Sequence, residues 1–128
     1  MKGLLLFAHG ARDPRWREPF DDVVRRILDR APGTPVQLCF LEFMAPELME
    51  GGDLLAGQGC THVDVVPLFL GAGGHVRRDL PDLLAALAAA HPATRWTLRP
   101  AVGEMEAVID AMALASASWL QGEGPAVD

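Results

Sequence analysis

The sequence predicts an α/β domain, a three-layer αβα arrangement with a four-stranded parallel sheet and helices on both faces. Three observations carry this expectation. Short apolar runs alternate with longer stretches of helical periodicity, as in repeated βα units. The first three runs are nearly continuous in apolar character, as strands covered on both faces are. The length, 128 residues, suits one core and no second domain.

Strands are expected at residues 3–8 (GLLLFA), 35–41 (PVQLCFL), 62–69 (HVDVVPLF) and 94–99 (TRWTLR), each bounded by Gly, Pro or polar turns. A first helix is expected over 15–31, where Trp16, Phe20, Val23, Val24, Ile27 and Leu28 recur at three- and four-residue spacing. The second, over 46–57, has Pro46 at a favoured first position, but Gly51-Gly52 weakens its middle, so a short or irregular helix is expected. The third starts with Asp79 as its cap and Pro81 in its first turn, burying Leu80, Leu83, Leu84 and Leu87. A fourth, over about 104–120, places Met105, Val108, Ile109, Met112 and Trp119 inside. Right-handed crossovers join these units into a single domain over 1–121, with 122–128 as a frayed tail.

Composition narrows the function classes. The 50% apolar content and mean hydropathy of +0.17 are ordinary for a globular protein, and no apolar run approaches the roughly 18 to 20 residues that span a bilayer. The run from Met1 to Ala8 carries a leading positive charge, but it is short for a signal peptide and lacks a small-residue cleavage site. Cys39 and Cys60 lie in or beside apolar segments without C-x-x-C spacing, which points to two buried thiols in a reducing cytoplasm rather than a zinc knuckle or disulfide framework. A formal charge of −6 argues against a nucleic-acid surface. Even so, Arg12, Arg15, Arg17, Arg77 and Arg78 closely follow one of two histidines, so an anionic ligand would meet a basic rim there.

Ligands of open parallel sheets bind beyond the carboxyl ends of the strands. Three predicted loops there carry candidates: His9 after the first strand, Glu42 after the second and His75 after the third. Neutral imidazole ligates Co²⁺, Fe²⁺, Ni²⁺ and Zn²⁺, and a carboxylate can add a ligand or accept a proton. Two histidines and one carboxylate leave coordination positions open, which suits an ion that is delivered onward rather than a closed structural zinc. Gly71, Gly73 and Gly74 would let the backbone approach a flat ligand closely. His62 and His91 would lie at the opposite edge, in solvent or helix-end roles.

Taken together, LLLFAHGARDPRW, FLEFMAP and VVPLFLGAGGHVRRDLP resemble the small, short-form sirohydrochlorin cobaltochelatases of the CbiX type, a class II chelatase family. The resemblance runs from Leu4 to about Pro81 by motif and to about Leu120 by succession of elements. It implies that His9 and His75 handle the metal and that Glu42 is the acidic active-site residue. The implied reaction inserts Co²⁺, or Fe²⁺ or Ni²⁺, into sirohydrochlorin on the way to cobalamin, siroheme or a nickel tetrapyrrole, with no organic cofactor and with the chain paired as a homodimer. Arg12, Arg15, Arg77 and Arg78 would receive the macrocycle carboxylates, and Glu42 or a histidine would accept the pyrrole protons. Ala11 stands where the family often has Ser, so a hydroxyl near His9 would be missing. Two rival readings use the same residues. A histidine phosphatase normally has Arg before its His, where this chain has Ala8. A non-catalytic metal carrier or sensor would use the His pair but leave the basic rim without a purpose.

Overall fold

In the computed structural model the four apolar runs form strands β1 (Lys2–Ala8), β2 (Val36–Phe40), β3 (His62–Pro67) and β4 (Arg95–Leu98). All neighbouring pairs are parallel and the order is β2-β1-β3-β4, with Leu5 of β1 opposite Gln37 and Val65. The structure describes residues 1–71, 73–122, 124 and 126–127; His75, Val76 and Arg77 are described in their backbone alone. Ala72 of the glycine-rich segment, and Glu123, Pro125 and Asp128 of the expected tail, lie outside the described residues.

Alternation along β1 divides the core, because successive side chains of a strand point to opposite faces. Leu5 and Phe7 join Val63, Val65, Leu55 and Leu87 under α2 (Leu48–Gly57) and α3 (Gly74–Ala90). Leu6 and Ala8 join Leu38 and Phe40 on the other face, where α1 (Glu18–Arg30) lays down Phe20, Val24 and Ile27. Trp16, Val23 and Leu28, expected on the buried side of the first helix, remain substantially exposed. The helical segment there begins as a 3-10 turn, Pro14–Arg17, whose Asp13 cap accepts a hydrogen bond from the Arg15 amide at 2.9 Å.

Helix α2 is shorter than the 46–57 stretch, as one of the two expected forms would have it, and it is regular rather than irregular through its glycines. Gly51 and Gly52 are buried in it, and close packing explains both. A Cβ on Gly51 would stand 2.9 Å from Leu5 Cδ1, and one on Gly52 would collide with Leu87 Cδ2. The missing side chains let the helix backbone sit directly on the sheet and on α3, which offsets the helix-propensity cost of glycine. The helix itself starts two residues after Pro46, with Glu47 as cap, and the Ala45–Pro46 peptide is cis.

Helix α3 starts at Gly74, five residues before Asp79, so His75, Arg77 and Arg78 stand in its first turns and not on a loop. Amides of a first turn need no helical partner, and a glycine there costs only about 1 kcal/mol. Burial of Leu80 and Leu87 farther along anchors the helix. Pro81 consequently lies inside α3. Helix α4 (Glu106–Ala117) buries none of its residues. Its main contacts are with the 3-10 turns that flank it, Val102–Glu104 and Ser118–Leu120. Of the stripe expected inside, Val108 is half-buried, whereas Met105, Ile109 and Met112 are 46%, 44% and 40% exposed and Trp119 is exposed as well, so most of it faces outward in the single chain.

Candidate metal-handling site

His9 follows the last residue of β1, where the strand leaves the sheet at its carboxyl end. Three groups fix it. Trp16 donates its indole Nε1–H to the His9 carbonyl at 2.7 Å, tying the loop to the turn that precedes α1. The buried ring of Phe69, just beyond β3, lies against the imidazole with centroids 4.5 Å apart and planes tilted by 35°. Glu42, after β2, brings Oε1 to 3.8 Å from His9 Nδ1.

At 3.8 Å the carboxylate is beyond direct hydrogen-bond reach of the ring, so the contact is a longer-range electrostatic one. Both side chains are partly open to solvent. With Nδ1 turned to Glu42, the other ring nitrogen, Nε2, is the one placed to ligate an ion, as neutral imidazole does. Gly10 makes the approach of the two loops possible. A Cβ on it would run into the Glu42 carbonyl oxygen, so the residue after His9 must be glycine for the Glu42 loop to close down. Leu41 completes the junction by donating its amide to the Ala8 carbonyl at 2.9 Å.

His9 and Glu42 are therefore brought together from separate strands. The side chains of His75 and Arg77 lie outside the described residues; their backbone opens α3, which follows the same strand end as Phe69. Among the described residues no three His, Cys, Asp or Glu side chains form a metal-holding cluster. The arginines expected to receive anions divide. Arg15 is held in an exposed ion pair by Asp13 at 2.9 Å, which draws that carboxyl below its usual range. Arg12 lies over the ring of Phe43, 5.1 Å from its centroid, and Arg78 donates Nε–H to the Gly74 carbonyl at 3.3 Å. Gly73 caps α3 and Gly74 begins it, and a Cβ on either would meet open space, so packing within the chain does not require glycine at those two positions. His62 and His91 lie away from this edge. His62 begins β3 beside Thr97, and His91 ends α3, 2.6 Å from Asp53.

A family model described as CbiX matches residues 3–117. The chain belongs to the CbiX family. A protein named sirohydrochlorin cobaltochelatase from Methanococcoides burtonii is 32% identical over 82 residues, a stretch amounting to 64% of this chain but 63% of that protein. The crystal structure of a CbiX protein from Marinobacter aquaeolei is similar over 94% of this chain and 98% of its own, with TM-score 0.82 and 28% identity. The sirohydrochlorin chelatase SirB of Bacillus subtilis subspecies spizizenii, solved in complex with cobalt, matches with TM-score 0.78 and 25% identity. This chain covers 50% of SirB.

In this CbiX sequence His9 and Glu42 are legible as polar ligands, whereas the apolar residues that hold them are not. Phe69 was legible only as the end of a strand and Trp16 only as part of a helix face. The available signal was position, since both flank the segments that carry the histidines. Phe43, next to Glu42, was legible only as a loop residue, yet it adopts φ 64°.

Proposed function

We propose that this CbiX chain inserts Co²⁺ into sirohydrochlorin or a closely similar anionic tetrapyrrole. The observation that carries the reading is the His9–Glu42 pair, a ring nitrogen available to an ion with a carboxylate 3.8 Å from the opposite nitrogen, at the open edge of the sheet. His9 and His75 would present the ion to one face of the macrocycle. Each ion that enters displaces the two pyrrole N–H protons, which Glu42 or a histidine would accept in turn and pass to solvent. Fe²⁺ and Ni²⁺ accept the same donors, so a siroheme or nickel-tetrapyrrole route belongs to the same proposal. No organic cofactor is needed, because a proton-for-metal exchange moves no electrons. Arg12, Arg77 and Arg78, and Arg15 if it exchanges Asp13 for the ligand, would pair with the macrocycle carboxylates, while Gly73 and Gly74 would leave room for its face.

The same reading includes a homodimer of single domains spanning 1–121. It is supported by the outward stripe of α4 and by the match of this chain to half of the longer SirB. A cytoplasmic setting is supported by two free buried cysteines, with burial pushing the Cys39 thiol up to about 12 and so keeping it protonated and unreactive. Among the described residues no helix is long and apolar enough to cross a membrane.

The test is anaerobic absorbance of sirohydrochlorin with Co²⁺, Fe²⁺ or Ni²⁺ in turn. Loss of free macrocycle faster than the spontaneous rate is expected, greatest with Co²⁺. Metal binding by the folded protein with no acceleration for any of the three ions would overturn the reading and leave a carrier.

A further inference from the structure

Two of the three residues that touch His9, Glu42 and Phe69, are each followed by a large apolar side chain turned out to solvent. Glu42 is followed by Phe43, 63% exposed, and Phe69 is followed by Leu70, 74% exposed. Phe43 is also held in an unusual conformation. The Met44 amide donates to the Glu42 carbonyl at 2.8 Å across it, and its φ of 64° lies in the left-handed region that side chains other than glycine seldom enter. This is a tight three-residue turn with an aromatic ring at its apex. The neighbouring contacts keep it in place: the Phe40 amide donates to the Pro46 carbonyl at 2.9 Å, and the Arg12 guanidinium covers one side of the ring. Strained backbone clusters at active sites and ligand clamps, and here it points an aromatic ring outward beside a polar site.

Size supports the same conclusion. The cavity at the carboxyl ends of β1 and β2, bounded by Phe7, Leu41, Glu47 and Leu83, measures about 160 Å³. Pockets that enclose a drug-sized ligand run to roughly 300–1,000 Å³, so this cavity, whose lining includes neither His9 nor Phe43 nor Leu70, does not enclose a tetrapyrrole, and the macrocycle would lie on the surface that the loops present.

We propose that Phe43 and Leu70 form the platform on which the flat macrocycle rests, and that Phe43 is a specificity-determining residue that holds the ring over His9. The inference rests on the chelatase reading and names its contact surface. The guanidinium of Arg12, already stacked on Phe43, completes the recognition. One residue pair offers a π-face to the macrocycle and a cation to a peripheral carboxylate. A planar anion of smaller area, offering less face to Phe43 and Leu70, would bind less well.

The experiment is equilibrium binding of metal-free sirohydrochlorin under anaerobic conditions, with no metal ion present, to the wild-type chain and to Phe43→Ala, Phe43→Tyr and Leu70→Ser. Co²⁺ affinity of each protein without macrocycle is measured alongside. Phe43→Ala is expected to weaken macrocycle binding on the order of three- to tenfold, Phe43→Tyr to restore it, and both to leave Co²⁺ affinity unchanged. Both sites are exposed, so folding should survive, and light scattering checks that subunit association is the same. Wild-type affinity in Phe43→Ala and Leu70→Ser would overturn the platform while leaving the chelatase reading intact. So would a loss of binding that appears only with subunit dissociation. A wild-type chain that neither binds nor metallates sirohydrochlorin would overturn both.

Discussion

Gly10 decides how near Glu42 can come to His9, because the Glu42 carbonyl occupies the space a side chain would take. Gly10→Ala must therefore push the β2 loop outward. We expect it to cost about 1–3 kcal/mol, as overpacking does, read as a lowered thermal midpoint, and to slow metal insertion by separating carboxylate from imidazole. A Gly10→Ala protein with wild-type midpoint and rate would show that the two loops are not locked. The polar members of this site were legible in the sequence because each follows an apolar run at the same end of a parallel sheet. The contacts that hold them were not. A tryptophan seven residues past His9 and a phenylalanine at the end of the third apolar run look like core residues until the chain is folded around the imidazole. The conformation of Phe43 was equally hidden, since it depends on a turn pinned by neighbours distant in sequence.

Helix α2 shows how an element can defeat propensity. Its adjacent glycines suggest a break, yet they are what allows the helix to lie against Leu5 and Leu87 at once. Gly52→Ala is expected to destabilise the fold by about 1–3 kcal/mol despite the better helix former, and equilibrium denaturation would measure it; an increase in stability would contradict the packing account. Helix α3 differs from its sequence pattern for the opposite reason: the glycines before Asp79 suggest a loop, but tertiary anchoring at Leu80 and Leu87 carries the helix back to Gly74. Between strands, Asp64 of β3 is buried on the α1 side and ties β1 to the residue just after β4, accepting from Lys2 Nζ at 3.0 Å and from Arg99 Nε at 3.0 Å. Burial alone would raise its carboxyl, but the hydrogen bonds and charges of Lys2 and Arg99 outweigh that and hold it below the ordinary 3.8. A carboxyl depressed in the folded state contributes stability that is present above its unfolded value and is lost as the pH falls through its folded one. Stability should therefore fall with acid below about pH 4, and Asp64→Asn should flatten that part of the profile. An unchanged acid limb in Asp64→Asn would assign the effect elsewhere. Asp13 is lowered as well, but by an exposed pair with Arg15 that solvent screens, so it should contribute little.

The parallel sheet and its two packed faces were legible from the alternation of runs, because that pattern depends on local periodicity alone. The disposition of α4 was not, because an amphipathic stripe indicates that something covers a helix without saying whether the cover is the same chain. Met105, Ile109 and Met112, at helical spacing, are the residues that the proposed homodimer would bury. Ile109→Glu together with Met112→Glu should yield a monomer by light scattering while the circular dichroism of the domain persists. A protein that stays dimeric would place the interface elsewhere, and a wild-type monomer would remove it. The net charge of −6 is compatible with an anionic ligand only because basic residues gather near the two histidines, so substrate capture should weaken as salt is raised. The central claim, that His9 delivers the ion with Glu42 beside it, is tested most directly by the anaerobic rate of Co²⁺ insertion into sirohydrochlorin by His9→Ala and Glu42→Gln. The account predicts that His9→Ala falls to the spontaneous rate and that Glu42→Gln is slowed on the order of 10²-fold, as for loss of a general base. Wild-type rates in both variants, with the fold intact, would contradict it.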